Sequence, residues 1–140
     1  MSRQLTTEQR DKIISIMRQN GAVVGYLFGS YARGTAGPLS DIDVGVIFPE
    51  DTDKKSGEDR VEKIRAGLEE MFGRDKADVV NVPTAKNPLL RYMITFGDGN
   101  LLFSLDDTLK NTAAYYSRRD FEDTKHLRRI QADVLKHIFD

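Results

Sequence analysis

Two aspartates separated by one residue, Asp41 and Asp43, are the side chains of this sequence best placed to do chemistry. They lie in the segment DIDVGVIF, residues 41–48, which we predict to be a strand. Side chains two positions apart on a strand share a face, so the carboxylates would sit about 7 Å apart and repel each other. A divalent cation such as Mg²⁺ or Mn²⁺ would relieve that repulsion. Taken alone, the pair is better explained as two solvated acids at the start of a strand.

The dipeptide Gly29-Ser30 lies upstream of these acids, directly after an apolar segment at residues 22–28 that reads as a buried strand. Glycine lets backbone N–H groups approach an anion closely, and Ser30 adds a hydroxyl donor. Alone, Gly-Ser after a strand is usually only a turn. With ten residues between Ser30 and Asp41, the combination predicts a phosphate cradle beside a metal site, as nucleotide chemistry requires.

A third acid, Asp78, opens the segment ADVVNV at residues 77–82, which we predict to be another strand. If that strand neighbours the second one, at a spacing of about 4.8 Å, Asp78 can face the same pocket. Three carboxylates can bind two metal ions, one of which would lower the pKa of an attacking hydroxyl. The plainer alternative is that Asp78 merely starts a strand next to Lys76. Asp75 is a rival third acid, but its place in the preceding turn favours a solvated side chain.

The segment GSYARGTAGPLSDID, residues 29–43, resembles the Gly-Ser, ten residues, Asp-x-Asp pattern of the DNA polymerase β-like nucleotidyltransferase superfamily. The triplet Ala32-Arg33-Gly34 and Ser40 narrow the resemblance to the minimal nucleotidyltransferases, which are often antitoxins paired with HEPN-domain ribonuclease toxins. The segments ADVVNV and PLLRYMITFGDGNLLF are similar to later parts of that family, so the resemblance covers most of the chain.

The resemblance implies an enzyme that uses ATP and two Mg²⁺ ions to transfer AMP to a protein hydroxyl, often a tyrosine of the cognate HEPN toxin. The residues matching Asp41 and Asp43 bind both metals, and Asp78 matches a metal ligand that assists the nucleophile. The residues matching Gly29 and Ser30 hold the β- and γ-phosphates. Arg33 matches a family position that either contacts phosphate or buttresses the loop, and the two roles are equally open.

The elements that must position these residues predict an α/β fold with a small mixed sheet, as in the nucleotidyltransferase fold. Thr6 and Gln9 have the spacing of a capping box at the start of a first helix. Further helices are predicted at 58–72 and 88–96, a short edge strand at 101–104, and mainly helix from Asp107 onward. One apolar face of this last part is formed by Leu127, Ile130, Val134 and Ile138.

Alternation along the segment 41–48 divides its side chains between the two faces of the sheet. Because ordinary apolar helices cannot cover a face that carries carboxylates, we expect the helices mainly on the other face. The predicted core side of the strand is formed by Ile42, Val44, Val46 and Phe48.

The composition sets further limits on function. The chain has 140 residues, which predicts one domain over residues 1–140. The formal net charge is -1, so direct nucleic-acid binding is not expected, and the lack of cysteine excludes thiol catalysis and cysteine-ligated zinc. Without an apolar run long enough to span a bilayer, and with a polar start, we expect a cytoplasmic protein that does not contact membranes.

Two functions therefore remain, and the first is favoured because a vestigial site has no reason to keep three carboxylates together against their repulsion. The acceptor residue, nucleotide preference and oligomeric state are not determined by the sequence. The first is an antitoxin that transfers AMP to its toxin. The second is an antitoxin that neutralises its toxin by binding, with a vestigial metal site. A transferase acting on a small molecule is disfavoured by the length of the chain.

Overall fold

The fold is described from a computed structural model, which covers residues 4–97, 99–125, 128, 129 and 132. Five helices and four strands follow one another along these residues. In chain order they are α1 (Thr7–Gln19), β1 (Val24–Phe28), α2 (Ser30–Arg33), β2 (Ile42–Ile47), α3 (Lys54–Phe72), β3 (Ala77–Asn81), α4 (Pro88–Phe96), β4 (Asn100–Ser104) and α5 (Asp107–Asp123), with a 3₁₀ turn at Val82–Thr84. The mixed α/β fold and the helical C-terminal part are confirmed. The face formed by Leu127, Ile130, Val134 and Ile138 lies outside the described residues.

Local hydrogen bonds set where the helices begin. The capping box of α1 is present, with the Thr6 amide donating to Gln9 Oε1 at 2.9 Å and the Gln9 amide donating to Thr6 Oγ1 at 3.0 Å. Helix α3 begins at Lys54, four residues before the predicted start at 58, because the Asp53 side chain accepts a bond of 2.7 Å from the Ser56 amide. The charged segment before residue 58, predicted to be a loop, is therefore partly helical.

The four strands form one mixed sheet in the order β3-β2-β1-β4. Strand β1 is antiparallel to both β2 and β4, whereas β2 and β3 are parallel. The predicted edge position of the last strand is confirmed. Strand β2 therefore has a neighbouring strand on each side. The end of the sheet at which β2 begins, next to Asp41 and Asp43, is called the carboxylate end below.

One face of the sheet packs on α1 and α3, as the alternation along β2 predicts. This cluster includes Ile13 and Met17 from α1, Ile64 and Leu68 from α3, and the predicted core residues Ile42, Val44, Val46 and Phe48. All eight are buried, which makes this face the main hydrophobic core.

The second face is also covered, except near the carboxylates. A smaller cluster joins Val24, Tyr26 and Ile47 of the sheet to Val82 and Ile94. Helix α4 lies close enough that a Cβ atom at Gly45 would come within 3.0 Å of both Ile94 Cγ2 and Val82 Cγ2. The expectation that helices could not cover this face was too strict, because Asp43, near the start of β2, is the only acid of this strand on that face.

Helix α4 runs back along the second face toward the carboxylate end. Its N-terminus follows the 3₁₀ turn at the far end of β3, and its C-terminus leads into β4, whose Asn100 pairs with Leu27 near the end of β1. Within the described ranges, no helix has the length and apolarity needed to cross a membrane.

We predict that Gly45→Ala lowers the free energy of unfolding by about 1–3 kcal/mol, because the added methyl overpacks the contact with α4. Gly37→Ala is the matched control, since a Cβ there meets no atom within 4 Å. Urea unfolding of both variants measures the difference, and equal stabilities would contradict the close approach of α4.

Candidate active site

The parallel register of β2 and β3 places two of the predicted acids side by side. Asp43 pairs with Asp78, flanked by the pairs Ile42–Ala77 and Val44–Val79. Registered partners on neighbouring strands point to the same face, so the Asp43 and Asp78 side chains share the second face of the sheet. Asp41 lies just before β2. The three acids, Asp41, Asp43 and Asp78, are called the carboxylate cluster below.

The charges of this cluster act on one another. Burial is the largest cause that raises the pKa of Asp43 from 3.8 to about 6, and the negative charge of Asp78 is the second. The charge of Asp41 raises this pKa further, whereas the positive charge of Arg33 lowers it. The half-buried Asp43 is therefore the point at which the other two acids and Arg33 converge, while Asp41 and Asp78 are exposed.

Gly29 lies against the Asp43 carboxylate. Its φ of 74° and ψ of -156° fall in a region that is essentially restricted to glycine. A Cβ atom at this position would overlap Asp43 Oδ2 and lie 3.0 Å from Asp43 Cγ. Both the backbone conformation and the close approach of the carboxylate thus require glycine here.

Ser30 begins the short helix α2, which turns the chain away from the end of β1. The amides of Ala32 and Arg33 both donate to the Gly29 carbonyl at 3.1 Å. The predicted Gly-Ser turn with a short helix therefore lies directly beside the carboxylate cluster. Ser40, which entered the sequence argument only through the family resemblance, accepts a bond of 2.8 Å from the Gly37 amide and closes the turn before Asp41.

Lys76 is a residue of this site that the sequence argument treated only as a neighbour of Asp78. Its Nζ lies 4.0 Å from Asp41 Oδ1 and donates a hydrogen bond of 3.2 Å to the Leu39 carbonyl. Its own carbonyl accepts a bond of 2.8 Å from the Ile42 amide. Lys76 thus fastens the start of β3 to the start of β2, and the only sequence signal for it was a lysine directly before an acidic strand.

The rival acid Asp75 lies in the turn before β3, as the sequence predicts. It is exposed and has a φ of 61°, a left-handed conformation that aspartate tolerates better than most residues.

Oxygen ligands of the carboxylate cluster suit a hard divalent cation. The pKa of Asp43 is raised first by burial and then by the charges of Asp78 and Asp41, and a cation would offset that repulsion. Among residues that the structure describes, no three histidine, cysteine, aspartate or glutamate side chains stand close enough to hold a metal as they are placed. The donors therefore fit the metal by chemistry, with Asp43 and Asp78 as the adjacent pair.

A mixed α/β sheet with acids at one end, beside a glycine turn and a short helix, defines a domain of the nucleotidyltransferase class. A family model described as nucleotidyltransferase domain matches residues 10–98, which is more than half of the chain. The chain belongs to this family.

The protein adenylyltransferase MntA of Shewanella oneidensis is a relative of this chain, with 30% identity over 89 residues. The match covers 62% of this chain and 60% of that protein. The resemblance to the nucleotidyltransferase superfamily inferred from the sequence motifs is thus confirmed by the family match. The MntA relative agrees with the narrower resemblance to the minimal nucleotidyltransferases, and the match spans about three fifths of its length.

Solved structures share the fold over nearly the whole chain. A toxin–antitoxin crystal structure with AMP-PNP has a TM-score of 0.65 and 22% identity, and the match covers 94% of this chain and 98% of that one. A tri-AMPylated Shewanella oneidensis HEPN toxin in complex with an MNT antitoxin gives a TM-score of 0.59 and 20% identity, covering 94% and 96%. These likenesses establish the fold.

We predict that Asp43→Asn stabilises the metal-free protein increasingly as the pH rises. The pKa of Asp43 is raised in the folded state from 3.8 to about 6, so ionisation costs stability that is present below pH 3.8 and lost as the pH rises through 6. Asparagine cannot ionise, and after allowance for solvent screening we expect a gain of about 1–2 kcal/mol at pH 8 and almost none at pH 4.

Urea unfolding in EDTA at several pH values measures this gain. Asp59→Asn is the matched control, because it removes the same charge from an exposed position in α3. A pH-independent difference between the Asp43→Asn protein and the unsubstituted protein would contradict the raised pKa of Asp43.

Proposed function

We propose that this chain is a Mg²⁺-dependent nucleotidyltransferase that transfers AMP from ATP to a hydroxyl of a HEPN-type toxin, with tyrosine as the first candidate, and so acts as an antitoxin. The observation that carries the proposal is the pairing of Asp43 with Asp78 beside the Gly29–Ser30 turn. The protein adenylyltransferase relative supports the activity, and the complexes of related fold support the kind of partner.

The roles proposed for the site follow from its layout. The turn at Gly29 and Ser30 holds the β- and γ-phosphates, with the Ser30 hydroxyl as one donor. Arg33 brings a positive charge to the same space, as its effect on the pKa of Asp43 indicates. This charge supports a contact with phosphate, and the position of Arg33 at the end of α2 is equally compatible with support of the loop.

The transfer is an in-line displacement at the α-phosphorus. The acceptor hydroxyl oxygen forms a bond to the α-phosphorus, the bond from that phosphorus to the bridging oxygen breaks, and pyrophosphate leaves. The exposed Asp78 carboxylate takes the hydroxyl proton, and its exposure lets a hydroxyl carried by another protein reach it. Two Mg²⁺ ions held by Asp41, Asp43 and Asp78 would neutralise the charge of the phosphates and lower the pKa of the acceptor hydroxyl.

The second candidate is neutralisation of the toxin by binding alone. Two observations favour it. Asp41 is paired with Lys76, and the described residues hold no group of three metal ligands as they are placed. In this case the carboxylate cluster would be a remnant, and removing one of its charges would leave inhibition of the toxin intact.

We predict that the toxin gains one or more masses of AMP less water when it is incubated with this protein, ATP and Mg²⁺ and then denatured. The Asp43→Asn protein should transfer none, because a neutral amide cannot hold the metal ions as a carboxylate does. Intact-mass spectrometry of the denatured toxin measures the transfer, and peptide mapping identifies the acceptor residue.

The Asp59→Asn protein serves again as the control for loss of one negative charge and should transfer AMP at the normal rate. If the toxin mass does not change and the normal and Asp43→Asn proteins inhibit the toxin equally, the transferase proposal is wrong and neutralisation by binding is supported.

A further prediction concerns the phosphate cradle. Ser30→Ala should lower the rate of transfer about 100-fold or more, because one preorganised donor is lost while the backbone at Gly29 remains. Ser30→Thr keeps the hydroxyl and should retain most of the rate. Single-turnover assays with the toxin compare the three proteins. A normal rate for the Ser30→Ala protein would show that Gly29-Ser30 is only a turn and does not bind phosphate.

A further inference from the structure

Four side chains form a continuous stack between α4 and the end of α5. The rings of Tyr92 and Phe121 are almost parallel, with centroids 4.1 Å apart and an interplanar angle of 10°. Phe96 stacks on Tyr92 with a centroid distance of 5.4 Å and an angle of 29°. The Arg128 guanidinium lies 3.7 Å from the centroid of Phe121. The arrangement has a charged layer at the Arg128 end and an aromatic ring at the other.

The Phe96 end of the stack is exposed to solvent. Phe96 has 48% of its surface exposed, whereas Tyr92, Phe121 and Arg128 are all half-buried. Arg128 is held in place by a hydrogen bond of 2.8 Å from its Nη2 to the Phe121 carbonyl. A held stack that ends in a half-exposed ring offers a flat apolar face of fixed orientation, which is a platform on which another planar group can stack.

The open ring lies at the carboxylate end of the sheet. Phe96 is the last residue of α4, and α4 runs along the second face toward that end. After the helix the chain enters β4 at Asn100, which pairs with Leu27 and donates from Nδ2 to the Ala32 carbonyl of α2 at 3.4 Å. The end of α4 is therefore joined to the helix that carries Ser30, on the face that also bears Asp43 and Asp78.

We propose that the exposed face of Phe96 is the stacking platform for the base of the bound nucleoside triphosphate. The inference rests on the proposed function, which places the phosphates at Gly29 and Ser30, and it identifies the side chain that receives the other end of the same molecule. A stacked ring contacts the flat face of a base and not its edge. We therefore expect the larger purines to bind more strongly than pyrimidines, without strict selection for adenine.

Another exposed apolar side chain near the cluster fits a base less well. Leu39 has 82% of its surface exposed and lies on the side of β3, where Lys76 holds its carbonyl. It has no planar face. We therefore assign Leu39 no part in base binding, and the experiment below tests Phe96.

The test separates the base from the phosphates by using two probes, Mg-ATP and Mg-tripolyphosphate, in calorimetric titrations. Phe96→Ala should weaken ATP binding about tenfold, within the range that alanine substitution of a stacking residue usually gives, and should leave tripolyphosphate binding unchanged. Phe96→Trp keeps a flat face and should restore ATP binding. Leu101→Ala is the control for loss of an apolar side chain, since Leu101 is 46% exposed on β4 and outside the stack.

Each remaining outcome decides against the platform. Equal ATP affinity of the Phe96→Ala and normal proteins overturns it, and so does an equal loss for both probes, which would show a damaged phosphate site. A normal ATP affinity with a raised KM for the toxin would make Phe96 part of a protein-docking surface. If the normal protein binds neither probe, the proposed function itself fails, and that result is distinct from a Phe96 effect.

Discussion

The parallel pairing of β2 with β3 forces two carboxylates into adjacent positions, and much of the surrounding structure is arranged around that constraint. Asp43 and Asp78 occupy one rung of the sheet and cannot move apart without breaking the register. The close contact at Gly29, the positive charge of Arg33 and the pairing of Lys76 with Asp41 all adjoin this rung. The main buried cluster lies on the opposite face, and the smaller one adjoins this rung at Phe28, which pairs with Asp43.

Strand β2 shows how one short segment serves two purposes. Its even-numbered residues Ile42, Val44 and Val46 are buried against α1 and α3, while Asp43 and Gly45 face the other way. The absence of a side chain at Gly45 lets α4 approach closely, and this approach carries the end of α4 toward the acids. One face of the strand therefore packs in the main core. The other face carries the Asp43 carboxylate and, at Gly45, allows the close approach of α4.

Features encoded by neighbouring residues were predictable from the sequence, and those that depend on distant contacts were not. The capping box at Thr6, the proline start of α4 and the alternation along β2 are local signals, and each appears in the structure as expected. The earlier start of α3 depends on one side-chain bond from Asp53, which a search for apolar periodicity does not register. The placement of Asp78 beside Asp43 was predicted on the condition that β2 and β3 are neighbours, and the register meets that condition.

Lys76 and Phe96 illustrate the other category. The contact of Lys76 with Leu39 joins residues 37 positions apart, and the stack on Phe96 joins α4 to α5. Lys76 belongs to no motif, and the resemblance of the segment that contains Phe96 assigns that residue no role. No spacing rule connects residues that meet only through the packing of distant elements. Motifs therefore identified the part of the site that carries the charges. The side chains at the edges of the site could be identified only from the three-dimensional packing.

The balance between the two proposed functions depends on what the repulsion within the cluster costs. Ionised Asp43 lowers the stability of the metal-free fold, and a small domain has little stability to spare. A protein that only occluded its toxin would gain by replacing one of these acids with a neutral residue, since that change relieves repulsion and leaves the distant helix faces intact. The positive charge of Arg33, which lowers the pKa of Asp43, moderates the cost without removing any carboxylate. An arrangement that tolerates the charges and keeps all three oxygen ligands favours transfer over simple occlusion, because only catalysis uses them.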